Sequence, residues 1–132
     1  MTRTTAAAEN RRNKTVLVVE DSATTRKVIT VILKHEGFDV VEAKDGIEAL
    51  ARFNEIVPDL VLLDIIMPGM DGYQVLATMK NNANFKKIPV IMLTAKDGLI
   101  DKVKGKMSGC SEYLTKPFTP EQLMGKMKKY LK

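Results

Sequence analysis

Three acids, a hydroxyl and an amine stand at equivalent places along this 132-residue chain. Glu20 and Asp21 follow the apolar run Thr15 to Val19, and Asp64 closes the run Leu60 to Leu63. Thr94 closes Ile88 to Leu93, and Lys116 stands just beyond Ser111 to Leu114. If each run is a strand of one parallel sheet, all five residues fall on one rim, at the carboxyl ends where open α/β sheets bind ligands. Three carboxylates in one small crevice repel each other and raise each other's pKa unless a cation lies among them. A donor set of oxygens, with no histidine or second cysteine, suits a hard divalent ion such as Mg²⁺. Lysine and threonine opposite such a cluster make a place for an oxyanion, the ammonium as a point charge and the hydroxyl as a donor. A carboxylate that can attack phosphorus beside the ion suggests an aspartyl phosphate. Taken alone, Asp64 has a plainer reading as the cap of the turn-rich segment IIMPGMDG that follows it.

The elements that must position these groups are legible in the hydrophobic pattern. Between Pro58 and Pro68, Leu60 to Leu63 is too short and too evenly apolar for an amphipathic helix, and reads as a strand buried on both faces. Ser22 is a suitable N-cap for a helix from about Ala23 to Glu36, with Val28, Val31 and Ile32 on its apolar face and Gly37 as its stop. His35 lies in the last turn of that helix, where partial positive charge suits the dipole, and is assigned no function. Phe38 to Glu42 alternates and suits a sheet edge, after which Asp45 and Glu48 form a capping box for a helix to about Val57. Asp71 caps a helix carrying Tyr73, Val75, Leu76 and Met79, ended by Asn81, Asn82 and Asn84. Asp97 to Gly109 has helical spacing, weakened by Gly98 and Gly105 at about 1 kcal/mol each. Thr119, Pro120 and Gln122 start a last helix with a cap, a first-position proline and a reciprocal glutamine. Five strands alternating with five helices predict an α/β fold: a flavodoxin-like, doubly wound, five-stranded parallel sheet in the order 2-1-3-4-5.

Composition narrows the class. At 45% hydrophobic and 28% charged residues the chain is expected to form one globular domain with a proper core. The single cysteine, Cys110, excludes an internal disulfide and fits a reducing compartment. No apolar run approaches membrane-spanning length and the N-terminus lacks a secretion-signal core, so a cytoplasmic location without membrane insertion is expected. Of the net charge of +5, three charges come from Arg3, Arg11, Arg12 and Lys14 against Glu9, which suits a flexible, solvated basic tail over residues 1–14. Without a recognition element, the remaining charge gives no reason to expect nucleic acid.

Together the segments VLVVEDS, the DG of Asp45 and Gly46, DLVLLDIIMPGMDG, PVIMLTA and YLTKPF make the chain resemble the CheY-like receiver domain of bacterial two-component response regulators, over residues 15–132. The resemblance implies that Asp64 is the phosphoacceptor. It implies Mg²⁺ (or Mn²⁺) held by Glu20, acting through water, Asp21, Asp64 and the backbone carbonyl of Ile66, with Thr94 and Lys116 on the phosphoryl oxygens. Lys116-Pro117 is expected to be a cis peptide. Thr94 and Tyr113 are the expected switch pair, and the face formed by Asp97 to Met107, the last strand and the last helix is the expected output surface. Such a domain is a phosphoacceptor switch and no enzyme beyond its own phosphorylation and dephosphorylation. Its partners would be a sensor histidine kinase or CheA-like kinase and a downstream protein, with the chain a monomer or weak dimer.

KDGLIDKVKGKMSG followed by EYLTKPF is most similar to the stand-alone receivers of type IV pilus, twitching-motility and phototaxis systems, which implies control of motility or taxis through protein contact. Lys102, Lys104, Lys106, Lys126, Lys128 and Lys129 would favour an acidic partner, and Met107, Met124 and Met127 are placed near the output face. Two departures from the family pattern stand out. Ile66, where many receivers carry an acid or amide, gives a hydrolytic water no side-chain partner, and Cys110 reads as a small buried hydrophobe. The alternatives are a pseudo-receiver, a flavodoxin-type binding module and a haloacid-dehalogenase phosphatase. Glu20 and Asp21 would repel a flavin phosphate, and Ile66 stands where the phosphatase needs a second acid. A P-loop hydrolase is excluded, as no GxxxxGK[ST] occurs.

Overall fold

The computed structural model describes residues 14–95 and 109–131. Five parallel strands form one sheet in the order β2-β1-β3-β4-β5: β1 Thr15–Val19, β2 Asp39–Ala43, β3 Leu60–Asp64, β4 Val90–Thr94 and β5 Glu112–Thr115. Four helices lie among the described residues: α1 Ala23–His35, α2 Gly46–Phe53, α3 Gly72–Lys80 and α4 Pro120–Met127. Of the expected helix over Asp97 to Gly109, only Gly109 is among the described residues, with a positive φ of 88°, and of the expected tail only Lys14.

Side chains alternate across the sheet, so the inner strands feed two cores. Leu17, Val19, Val61, Leu63, Val90 and Met92 pack with Ala49 and Phe53 of α2 and Val75, Leu76 and Met79 of α3. Val16, Val18, Leu60, Leu62, Ile91 and Leu93 pack on the other face with Ile29 and Leu33 of α1 and Leu123, Met124 and Met127 of α4. β3 and β4 are buried along their whole length, whereas edge strand β2 is exposed at Asp39 and Glu42. Asp59 ties the lower ends of β1 and β3 together, its carboxylate accepting from the Thr15 N–H at 2.7 Å while its own N–H donates to the Thr15 carbonyl at 2.8 Å.

The caps follow the sequence closely. Ser22, Asp45, Asp71 and Thr119 each accept from the backbone N–H three residues on, and Asp71 with Gln74 and Thr119 with Gln122 form complete capping boxes. At α2 the reciprocal half differs: the Glu48 carboxylate takes the Lys44 N–H at 3.1 Å. Gly37 ends α1 with a positive φ of 95°, a conformation glycine adopts at little cost.

Several boundaries and faces depart from expectation. α2 ends at Phe53, four residues before Val57, where Asn54 caps it and a turn begins. β2, β4 and β5 begin one or two residues late; before β2 and β4, the Phe38 N–H donates to the Leu33 carbonyl and the Ile88 N–H to the Phe85 carbonyl, so neither joins the ladder. On α1 the buried stripe is Ile29, Thr30 and Leu33, so Val28 and Val31, at 52% and 58% exposure, lie beside the apolar face and not on it. Met124 and Met127 are core residues and not surface ones, because α4 turns them onto the sheet. Among the described residues no helix is long and apolar enough to cross a membrane.

Candidate functional site

In the order 2-1-3-4-5, the direction of winding reverses between β1 and β3, and the crevice above that point is bounded by the residues that end those two strands. Glu20 and Asp21 follow β1, and Asp64 is the last residue of β3. Carboxylate oxygens of Glu20, Asp21 and Asp64 lie within 4.8 Å of one another. Glu20 and Asp64 are buried, and Asp21 opens to solvent. Lys116, arriving from the end of β5, places Nζ 2.9 Å from Glu20 Oε1 and 3.2 Å from Asp64 Oδ1. The Lys116–Pro117 bond that follows is cis. Thr94 is buried at the end of β4, one residue beyond the Asp64–Leu93 pair, and its carbonyl accepts from the Lys116 N–H at 2.7 Å.

Two local features shape the crevice floor. The Gly72 N–H donates to the Ile65 carbonyl at 2.8 Å, and a side chain at Gly72 would strike the Asp64 carbonyl oxygen and come within 2.9 Å of Ile65 Cα. Glycine at the start of α3 therefore lets that helix close against the backbone of the central acid. Ile66 lies on the loop between β3 and α3, its side chain 66% exposed. Tyr113 is half-buried in β5, three residues before Lys116, and packs against the core on the α2 and α3 side.

The electrostatics show a shortage of positive charge. Burial first, and then the neighbouring Glu20 carboxylate, push the Asp64 carboxyl up to about 7. Burial also works against ionisation of Glu20, but hydrogen bonds from Asp64, Lys116 and the Ser22 N–H overcome it and hold Glu20 below its ordinary value. Desolvation works to lower Lys116, but its two carboxylate partners raise it, so it stays an ammonium. One ammonium among three carboxylates leaves Asp64 hard to ionise, and a divalent ion would supply the missing positive charge. The donors are oxygens only, so the residues fit Mg²⁺ or Mn²⁺.

The receiver-domain family model, described as "Response regulator receiver domain", matches residues 16–128. The chain belongs to the response regulator receiver family. Receivers are signalling switches. This one is 48% identical over 116 residues to protein PilG of Pseudomonas aeruginosa, covering 88% of this chain and 86% of PilG. It superposes on the chemotaxis protein CheY4 of Vibrio cholerae with a TM-score of 0.85 at 33% identity, covering 89% and 98% of the two chains. It also superposes on the receiver domain of the P. aeruginosa sensor histidine kinase PA1611, whose structure carries a magnesium ion in the active-site cleft, with a TM-score of 0.83 at 29% identity and coverage of 89% and 97%. The chain also matches longer proteins, the transcriptional regulatory protein PhoB of Klebsiella pneumoniae and the DNA-binding response regulator MtrA of Mycolicibacterium paratuberculosis, of whose length it spans about half. Membership sets aside the flavodoxin and phosphatase readings.

One residue at the site carries no signature in the motifs. Arg26, one turn into α1, donates from Nη1 to the Glu20 carbonyl at 2.7 Å. Its position six residues after the first acid was the available signal, since one helical turn brings such a side chain back over the end of β1. Cys110 is half-buried, and burial pushes its thiol up, which suits an inert packing role.

Proposed function

We propose that this protein is a phosphoacceptor switch of a two-component phosphorelay, with Asp64 as the acceptor. The observation that carries the reading is the Asp64 carboxylate at the end of the central buried strand, with the Lys116 ammonium at 3.2 Å and Glu20 and Asp21 beside it. Asp64 attacks the phosphorus of a phosphohistidine on a sensor histidine kinase or CheA-like kinase. The P–O bond forms as the P–N bond breaks, and the imidazole leaves with a proton. Lys116 and the Thr94 hydroxyl hold the phosphoryl oxygens, and positioning does most of the remaining work. Mg²⁺, or Mn²⁺, would be held by Glu20 through water, Asp21, Asp64 and the Ile66 carbonyl, and supplies charge neutralisation at the transferred group.

In the readout, Thr94 is drawn toward the phosphoryl group and Tyr113 turns inward, changing the surface around β5 and α4 for a protein partner. Near-full activation of a mostly inactive population needs roughly 5 kcal/mol of differential stabilisation. The likeness to PilG and CheY4 supports a role in motility or taxis. Beryllofluoride, which mimics a phosphoryl group on a carboxylate, tests the switch. With Mg²⁺ it should shift the amide resonances of Thr94 and Tyr113 in the wild type and leave Asp64→Ala unchanged. Unmoved spectra in the wild type would favour a pseudo-receiver that works without phosphorylation.

A further inference from the structure

Successive residues of a strand point to opposite faces, yet Glu20 and Asp21 both bring a carboxylate oxygen within 4.8 Å of Asp64. The backbone must therefore leave strand geometry between them. The ladder records where: the Glu20 N–H still donates to the Ala43 carbonyl at 3.1 Å, while the Glu20 carbonyl accepts at 2.7 Å from Arg26 Nη1 on α1. Arg26 is itself held. Its Nε donates to Glu42 Oε1 at 3.2 Å, and its side chain is only 19% exposed. Glu42 lies beside Val18 in the β1–β2 pairing, and its carbonyl accepts from Arg52 Nε of α2 at 3.0 Å. Arg52, Glu42 and Arg26 thus link helices from both faces of the sheet to the peptide that joins the first two acids.

We propose that Arg26 is a positioning residue for a divalent cation: by holding the Glu20 carbonyl, it fixes the turn that makes Glu20 and Asp21 converge on Asp64. The proposal rests on the reading of this crevice as a cation site. A bare positive charge so near the cluster would oppose the ion, and Glu42 offsets that charge. Positioning and charge therefore predict opposite signs when Arg26 is removed.

The test is equilibrium binding of Mn²⁺ alone, by electron paramagnetic resonance, and of Mg²⁺ alone, by calorimetry, to the full chain. Wild type, Arg26→Ala, Arg26→Lys, Glu42→Ala and Asp64→Ala are compared, with thermal melting in parallel. Arg26→Ala is expected to bind Mn²⁺ about 10-fold more weakly or worse. Arg26→Lys should recover part of the loss, since an ammonium reaches the carbonyl without the guanidinium's second, fixed donor. Glu42→Ala should also bind Mn²⁺ more weakly, since it both frees the guanidinium and leaves its charge bare. Tighter binding by Arg26→Ala would show a charge effect alone, and unchanged affinity with lower melting would show a brace alone; either overturns the proposal. If Arg26→Ala does not fold, Arg26→Lys decides: with the charge kept, weaker Mn²⁺ binding supports positioning and unchanged affinity overturns it. Wild type that takes no Mn²⁺, or Asp64→Ala that binds as well as wild type, would overturn the reading of the site and the proposal with it.

Discussion

Asp64 is the residue on which the local physics is most exposed. Its carboxyl is pushed from an ordinary 3.8 to about 7, so in the metal-free protein folding favours the protonated form. A folded pKa above the unfolded one contributes stability that is fully present below about 4 and is lost as pH rises through 7. Asp64→Asn, which keeps a hydrogen-bond partner for Glu20 without the charge, should therefore stabilise the metal-free protein, with a gain that is larger at pH 8 than at pH 5 by at least about 1 kcal/mol. Thermal melting of both proteins in chelator at the two pH values checks this, and a variant less stable at pH 8 would contradict it. Ile66 makes a second prediction at the same scale. Its exposed apolar side chain offers an attacking water no partner, so the aspartyl phosphate should decay several-fold more slowly than in Ile66→Asn. Phosphoryl lifetimes after removal of the donor would show it, and equal lifetimes would remove the idea.

At the scale of elements, the strands and caps were legible because each rests on a local rule. Apolar runs bounded by prolines marked β3, and Ser22, Asp45, Asp71 and Thr119 all cap as their side chains dictate. The rotation of α1 was less legible. Val28, Val31 and Ile32 suggested one stripe, but the contact with β1 and β2 buries Ile29, Thr30 and Leu33, a choice made by tertiary packing. Thr30 was invisible for the same reason, and among the described side chains its buried hydroxyl is the one without a hydrogen-bond partner. An unpaired buried hydroxyl costs stability that an isosteric methyl does not. Thr30→Val should stabilise the fold by about 1 kcal/mol, raising the melting temperature by about 2–5 °C, and a drop in melting temperature would show that the hydroxyl is satisfied. Arg26 was hard to read because its partner is a backbone carbonyl, so that its spacing from Glu20 was the one hint of the contact.

At the scale of the molecule, the fold gathers residues almost a hundred positions apart into one crevice. Glu20 and Lys116 meet at 2.9 Å because β1 and β5 carry them to the same rim from opposite sides of β3 and β4. Beside that crevice runs a groove lined by Thr24, Val28, Ile29, Lys116, Pro117 and Phe118, so an apolar surface borders the approach to Asp64. The basic output surface expected from the sequence is partly spoken for, since Glu112 pairs with Lys126 at 3.4 Å and Lys129 at 3.3 Å, which ties α4 to β5. Lys102, Lys104 and Lys106 lie outside the described residues. The claim on which the whole account turns is the phosphoacceptor chemistry of Asp64. Intact-mass analysis after incubation with acetyl phosphate, with and without Mg²⁺, on wild type and Asp64→Ala, tests it directly. A Mg²⁺-dependent gain of one phosphoryl group is expected in the wild type and none in the variant, whereas an equal gain in both proteins would show that Asp64 is not the acceptor.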